Sequence, residues 1–130
     1  MTIQTAIAEV STVLGERLSR SKGDLDHHGS SETYFAHTPP DAVAYPETTQ
    51  EVQAVIRACA SHGCPVIPWG TGTSLEGHAL AFEGGISLDL SRMNRVIKVE
   101  PEDLVCRVQP GVTREALNSE LRATGLVFPI

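Results

Sequence analysis

The chain has 130 residues, 41% hydrophobic and 20% charged, with a formal net charge of −6. That length and apolar fraction suit one domain with a real core and exclude general disorder. The negative balance and scattered cations exclude a nucleic-acid partner, which needs a basic face tracking phosphates, and make an anionic membrane surface equally unattractive.

The start, Met1 to Glu9, has no positive n-region, no long apolar h-region and no Arg enrichment, so neither a signal nor a transit peptide is expected. No apolar run approaches the ~20 residues of a membrane span. These features predict a soluble, unprocessed, cytoplasmic chain, with peripheral contact at the inner membrane left open. Ala6, Val10, Val13, Leu14 and Leu18 fall on one helical stripe that the basic stretch and Gly23 bring to an end. From Asp24 to Asp41 the chain is polar and shows neither period, which reads as a lead-in segment.

Ala42 to Tyr45 predicts a short strand closed by Pro46. Thr48 and Glu51 form a capping-box signature, and Val52, Val55, Ile56, Cys59 and Ala60 repeat at helical spacing. His62 falls in the last turn, Gly63 suits the left-handed C′ position, and Pro65 stops the helix. Val66-Ile67-Pro68 is a second strand, so residues 42 to 68 are expected to make a parallel β-α-β unit. Ile86 to Leu90 alternates like a half-buried strand. Two more strands, Val96 to Val99 and Val105 to Val108, flank the turn at 100–103. Gly111 and Thr113 open a last helix with Ala116, Leu117 and Leu121 inward and Gly125 at its end. Residues 126 to 130 are apolar throughout, which reads as a cut within something longer, since natural termini are usually polar.

The chemistry concentrates in Pro68-Trp69-Gly70-Thr71-Gly72-Thr73-Ser74-Leu75-Glu76-Gly77-His78. Glycines directly after a buried strand let successive backbone N–H groups converge on one anion, and Thr71, Thr73 and Ser74 can add hydroxyl donors. Composition alone leaves an ordinary glycine-rich surface turn as the alternative. Gly72 and Gly77 have Walker A spacing, but His78 and Ala79 stand where Lys and Ser or Thr are required. A Rossmann loop fails at Leu75, which occupies the place of the third glycine.

The run from Pro40 to Ile130 resembles the first FAD-binding subdomain of the vanillyl-alcohol oxidase and p-cresol methylhydroxylase superfamily. The likeness lies in Pro-Asp-Ala-Val before Pro46, Thr48 to Val52, Pro-Val-Ile-Pro before the glycine loop, Asp89 to Val96, and Val108 to Thr113. Within it, His28 to Glu32 and Gly70 to His78 are most similar to cytochrome-linked D-lactate dehydrogenases and the glycolate oxidase FAD subunit. The resemblance implies an α+β fold, a β-α-β unit with further short strands and a second helix. It also implies a division into an N-terminal helix and lead-in, residues 1–37, and a PCMH-type FAD-binding subdomain, residues 38–130.

By the same resemblance the cofactor is FAD, with Gly70, Thr71, Gly72, Thr73 and Ser74 cradling its pyrophosphate and Gly77 and His78 closing the loop beside the ribityl chain or ring. Pro68 and Trp69 lead into the cradle, and Pro129 matches the proline of a second FAD segment. Trp69 replaces the usual Arg or Phe, a change expected to be neutral because that position works through its backbone. Thr73 fills the place of a His that attaches FAD covalently in some relatives, so a non-covalent cofactor is expected.

The implied activity is oxidation of a D-2-hydroxy acid, lactate or glycolate, to the 2-oxo acid, with electrons passed to a cytochrome or quinone and a homo-oligomer as an open expectation. The alternative is a non-catalytic nucleotide-binding or interaction module using the same loop. No catalytic or metal-ligating residue is assigned: His27, His28 and Glu32 read as solvated lead-in rather than ligands. Arg92, Arg95 and Lys98 read as a solvated face, Cys106 as core, and Cys59 and Cys64 as reduced structural thiols without zinc spacing. His78 can either polarise a flavin or only hydrogen-bond.

Overall fold

The computed structural model describes residues 2–129. Helix α1, Ile3–Leu14, is capped by the Thr2 hydroxyl accepting from the Thr5 N–H, and it buries Ala6, Ile7, Val10 and Leu14. It ends earlier than the apolar stripe predicts. Gly15, at φ 59°, turns the chain out of the helix, so Leu18 falls in strand β1, Leu18–Ser19, opposite Ala44. Gly23 then lies inside a further helix, α2, Lys22–His27, started by the Ser21 side chain. Six residues are too few to display a period, which is why this helix is hidden in a segment that reads as irregular.

Strand β2, Ala42–Ala44, leads to helix α3, Thr49–Ser61, capped by Thr48 as its sequence predicts. The Glu51 carboxylate accepts from the Glu47 N–H at 2.9 Å and pairs with Arg17, tying α3 to the turn after α1. Val55 and Cys59 are buried as expected, but Ala58 takes the inward place assigned to Ile56 and Ala60. Gly63 is left-handed at φ 62°, and the Cys64 N–H returns to the Cys59 carbonyl at 2.9 Å, closing a Schellman turn.

Strands β3, Val66–Trp69, and β4, Ile86–Asp89, complete a sheet in the order β1-β2-β4-β3. The β2-α3-β3 unit is therefore present and its strands run parallel, but they are not neighbours: β4 inserts between them and pairs with both. As an inner strand, β4 is buried at all four positions rather than on one face. Ala42, Ala44, Ile86 and Leu88 point to the face covered by α1 and α3, the main apolar core. Strand alternation sends Val43, Ile67, Trp69, Ser87 and Asp89 to the opposite face, where the site lies.

The remaining chain forms a separate antiparallel hairpin, β5, Val96–Glu100, and β6, Val105–Val108, then helix α4, Arg114–Leu121. Leu117 and Leu121 of α4 are buried; Ala116, expected inward, is exposed. Cys106, expected in the core, is only half-buried, because the hairpin has no second layer over its whole face. Residues 126–129 lie along α4, where Asn118 donates to the Phe128 carbonyl at 3.2 Å and accepts its N–H at 2.7 Å. Ile130 lies outside the described residues. The α+β architecture is the one expected.

Candidate functional site

Strand β3 delivers the chain into the glycine loop at its C-terminal end. The Trp69 carbonyl is still held by the Leu90 N–H at 3.0 Å, and beyond it no regular structure forms before β4. Gly72 and Gly77 take φ values of 72° and 77°, a region where other residues are strained. The hydroxyls of Thr71 and Thr73 lie 3.3 Å apart, and Ser74 Oγ meets His78 Nδ1 at 2.7 Å, so the loop's polar side chains are gathered on one side. They border a groove of about 310 Å³ lined by Pro68, Gly70 to Ser74, His78 and Ala79.

The floor of the loop is the Trp69 side chain. Trp69 is buried, and a Cβ on Gly72 would sit only 2.2 Å from its Cζ2 atom, so the indole occupies the space a side chain at position 72 would need. This corrects the expectation that Trp69 acts through its backbone alone. The indole in turn packs against the His28 ring, with centroids 4.6 Å apart and planes tilted by 48°. His28 is buried, contrary to its reading as solvated lead-in, because both ring nitrogens have partners: Nδ1 meets the Asp24 carbonyl at 2.8 Å and Nε2 the Asp89 carboxylate at 2.7 Å.

A carbonyl oxygen can only accept, so Nδ1 carries a proton, and a carboxylate at Nε2 calls for a second one. Burial pushes the His28 pKa down, but the hydrogen bonds to Asp89 and Asp24 outweigh it and hold it above the ordinary value. Asp89 shows the converse balance: burial raises it, and His28 and the Ser91 N–H hold it below the usual carboxylate range. Both shifts favour the charged form of the pair, an imidazolium facing a carboxylate. Removing one member of such a buried pair costs about 3–5 kcal/mol, since the other is left uncompensated.

The lead-in also reaches the far end of the loop. Gly77 is buried beneath Phe35 and Phe82, whose rings meet edge-on at 5.0 Å; a Cβ at 77 would lie 2.6 Å from Phe35. Residues 28 to 38 thus hold the loop at both ends, a role that no periodicity could announce.

A second, larger groove of about 500 Å³ shares Gly70 and Thr71 with the first. Its far wall is Pro110 to Arg114, the start of α4, with Ser91 and Asn94 alongside. Thr113 caps the Ala116 N–H, and the N–H groups of Arg114 and Glu115 are the first-turn donors that this cap leaves over. The approach depends on Gly111, where a Cβ would stand 2.2 Å from the Leu90 carbonyl and whose N–H donates to Met93 at 2.8 Å. The segment 110–114 was legible as a helix start but not as part of the site, because its position across from Gly70 is a tertiary fact.

Seven of the residues expected in the site, Pro68, Gly70, Thr71, Gly72, Thr73, Ser74 and His78, line the first groove. Trp69 lies under them and Gly77 at the loop's closed end. Pro129 borders neither groove; it is exposed in the segment held along α4. Arg92 is exposed, as expected of a solvated face, and its guanidinium lies over the Tyr45 ring at 4.4 Å to its centroid.

Residues 40–130 match the family model described as an FAD binding domain. The chain is 41% identical over 138 aligned positions to the mitochondrial D-lactate dehydrogenase [cytochrome] 1 of Saccharomyces cerevisiae, covering 97% of this chain and 23% of that protein. It is 36% identical over 90 residues to the glycolate oxidase subunit GlcD of Bacillus subtilis, covering 69% of this chain and 19% of the relative. Among solved structures, p-cresol methylhydroxylase with substrate bound superposes with a TM-score of 0.84 at 26% identity, covering 95% of this chain and 25% of that one. The chain thus spans about a quarter or less of the length of the relatives it matches. The expectation of a cytoplasmic protein is corrected by four D-lactate dehydrogenases, 35% to 41% identical, that are named as mitochondrial.

Proposed function

The chain belongs to the FAD binding domain family, and on that premise we propose that it is the first FAD-binding subdomain of a dehydrogenase that oxidises a D-2-hydroxy acid to the 2-oxo acid. Residues 38–130 form the subdomain and residues 1–37 the helix and lead-in that brace it. The observation that carries the reading is the continuity of the two grooves: the glycine loop and the start of α4 face each other across Gly70 and Thr71. A dinucleotide is a long ligand with a doubly charged centre, and it suits a cleft with amide donors at the middle and room at both ends.

The residues fit FAD. Gly72 and Gly111 sit where a Cβ has no space, as a backbone cradle requires. Gly70 to Ser74 offer N–H and hydroxyl donors to the pyrophosphate, and the first turn of α4 offers further N–H groups. Bound there, FAD supplies the hydride acceptor for the oxidation. Thr73, without a nucleophilic ring nitrogen, supports a non-covalent cofactor, and the Ser74 contact supports a hydrogen-bonding role for His78. Lactate and glycolate are the substrate class, with a cytochrome or quinone as electron acceptor. The substrate base and carboxylate-binding group are not assigned to any residue of this chain.

A few N–H donors contribute roughly 0.5–1.5 kcal/mol each against an association cost of at least ~4 kcal/mol, so the chain by itself should bind FAD weakly and turn over no hydroxy acid. The test is an amide-resolved NMR titration of the chain with FAD. Shifts confined to the residues bordering the two grooves, 68–79, 91–94 and 110–116, are expected. Shifts elsewhere, or reduction of a dye with D-lactate by this chain alone, would refute the assignment. Flavin that stays with acid-denatured protein on a filter would refute non-covalent binding.

A further inference from the structure

We propose that His28 is a positioning residue for the glycine loop: as an imidazolium clamped between Asp24 and Asp89, it braces the Trp69 indole under Gly72, so that its proton sets the loop's shape for anion binding. The inference rests on the reading of residues 70–74 as the pyrophosphate cradle. The mechanical chain is continuous. Asp89 holds His28 at 2.7 Å, His28 packs against Trp69 with centroids 4.6 Å apart and planes tilted by 48°, and Trp69 fills the space at Gly72 down to 2.2 Å from an ideal Cβ.

The groups around His28 account for its charge. From α2 come the Asp24 carbonyl and the edge of the His27 ring, with centroids 5.1 Å apart. The Asp24 carboxylate is engaged by Ser19, Ser21 and the Tyr45 hydroxyl, and Ser19 holds it below its usual range. From the end of β2, Tyr45 meets His28 at 6.0 Å, and Arg92 covers the Tyr45 ring. Asp89 projects from β4. Two carboxylates therefore face two cations, His28 and Arg92. Loss of the His28 proton leaves one N–H for two acceptors, so either the Asp24 or the Asp89 contact breaks and the ring loses its fixed plane.

Neutralisation should therefore let Trp69 shift, and Gly72, in contact with it, should follow. Because the folded pKa is raised, the braced form persists below the ordinary imidazole range and is lost as pH rises through the raised value. This differs from a merely structural contact, which would show no dependence on the protonation of one residue.

The experiment follows the isotope-labelled chain by NMR between about pH 5 and 9, spanning the imidazole range. A His78→Gln background removes the loop's own imidazole. The Gly70 and Gly72 amides and the Trp69 indole N–H should move with the same midpoint as the His28 ring carbon, while the Gly125 amide stays flat. Asp89→Asn should lower that midpoint, and Trp69→Phe should leave His28 titrating while Gly72 no longer follows. FAD should bind about tenfold more weakly above the midpoint than below it, the scale of one loop N–H hydrogen bond to the pyrophosphate lost when the loop shifts. Loop amides that ignore the His28 titration overturn the bracing, whatever FAD does. If FAD moves none of those amides at either pH, the cradle reading fails, and the titration still decides the bracing because it needs no ligand.

Discussion

Replacing Gly72 by alanine tests the cradle at the point where geometry constrains it most. The residue sits at φ 72°, and its new Cβ would approach Trp69 Cζ2 to 2.2 Å and Cη2 to 2.5 Å. The left-handed conformation costs a non-glycine residue about 1–2 kcal/mol. Pushing a buried ring aside adds about 1–3 kcal/mol, the usual cost of overpacking. The sum is about 2–5 kcal/mol against the cradle conformation, or roughly 30- to 4,000-fold in flavin affinity at ~1.4 kcal/mol per decade. The core over α1 and α3 lies on the other face of the sheet, so helix content and cooperative unfolding should persist. Gly70 provides the control: its Cβ would meet nothing within 4 Å and its φ is not positive, so Gly70→Ala should change affinity little. The assay pairs flavin titration with circular dichroism and Trp69 emission. Wild-type affinity in Gly72→Ala with unchanged emission would refute both the strain and the role of Trp69 as floor.

Three further outcomes follow from the same geometry. The hydrogen bonds from Arg17 hold the Glu51 pKa down at about 2, so the pair's contribution is full above the unfolded carboxylate range and lost as pH falls toward that value; Glu51→Gln should cost about 1 kcal/mol at neutral pH and flatten the acid limb of a urea-midpoint profile, and an unchanged limb counts against the pairing. Burial pushes the Cys59 thiol up to about 12 and raises Cys64 as well, so iodoacetamide on the native chain should label the half-buried Cys106 alone, with equal labelling of Cys59 as the contrary result. The hairpin and the 126–129 segment expose Leu104 at 76%, Val105 at 53%, Val127 at 69% and Phe128 at 51% around one apolar groove, so the chain should self-associate in light scattering and Leu104→Lys should shift it toward monomer, whereas a monomeric wild type removes that face as an interface.

Local chemistry made much of the fold legible. Thr48 and Glu51 mark the start of α3, Gly63 and Pro65 its end, and alternation marks the hairpin strands, because caps and periods are properties of neighbouring residues. The glycine loop was legible for the same reason, and the ordered matches from Pro40 onward pointed to its cofactor. Three features were not. Helix α2 is too short for a period, β4 declares its neighbours only by pairing with β2 and β3, and the lead-in has a composition that reads as solvent-facing.

His28 shows why composition could not decide the last of these. An imidazole in a polar stretch is solvated unless two acceptors from distant segments meet it, and Asp89 stands 61 positions away in sequence. The opposition of Gly70 to the first turn of α4 is likewise set by the close approach of Gly111 to the Leu90 carbonyl. Contacts within a few residues set the elements, their caps and the glycine-rich loop, which is why they can be read from neighbouring residues. Packing sets the rest: β4 divides the β-α-β unit, the Trp69 ring fills the space at Gly72, and His28 meets Asp89 beneath it, each through groups distant in sequence.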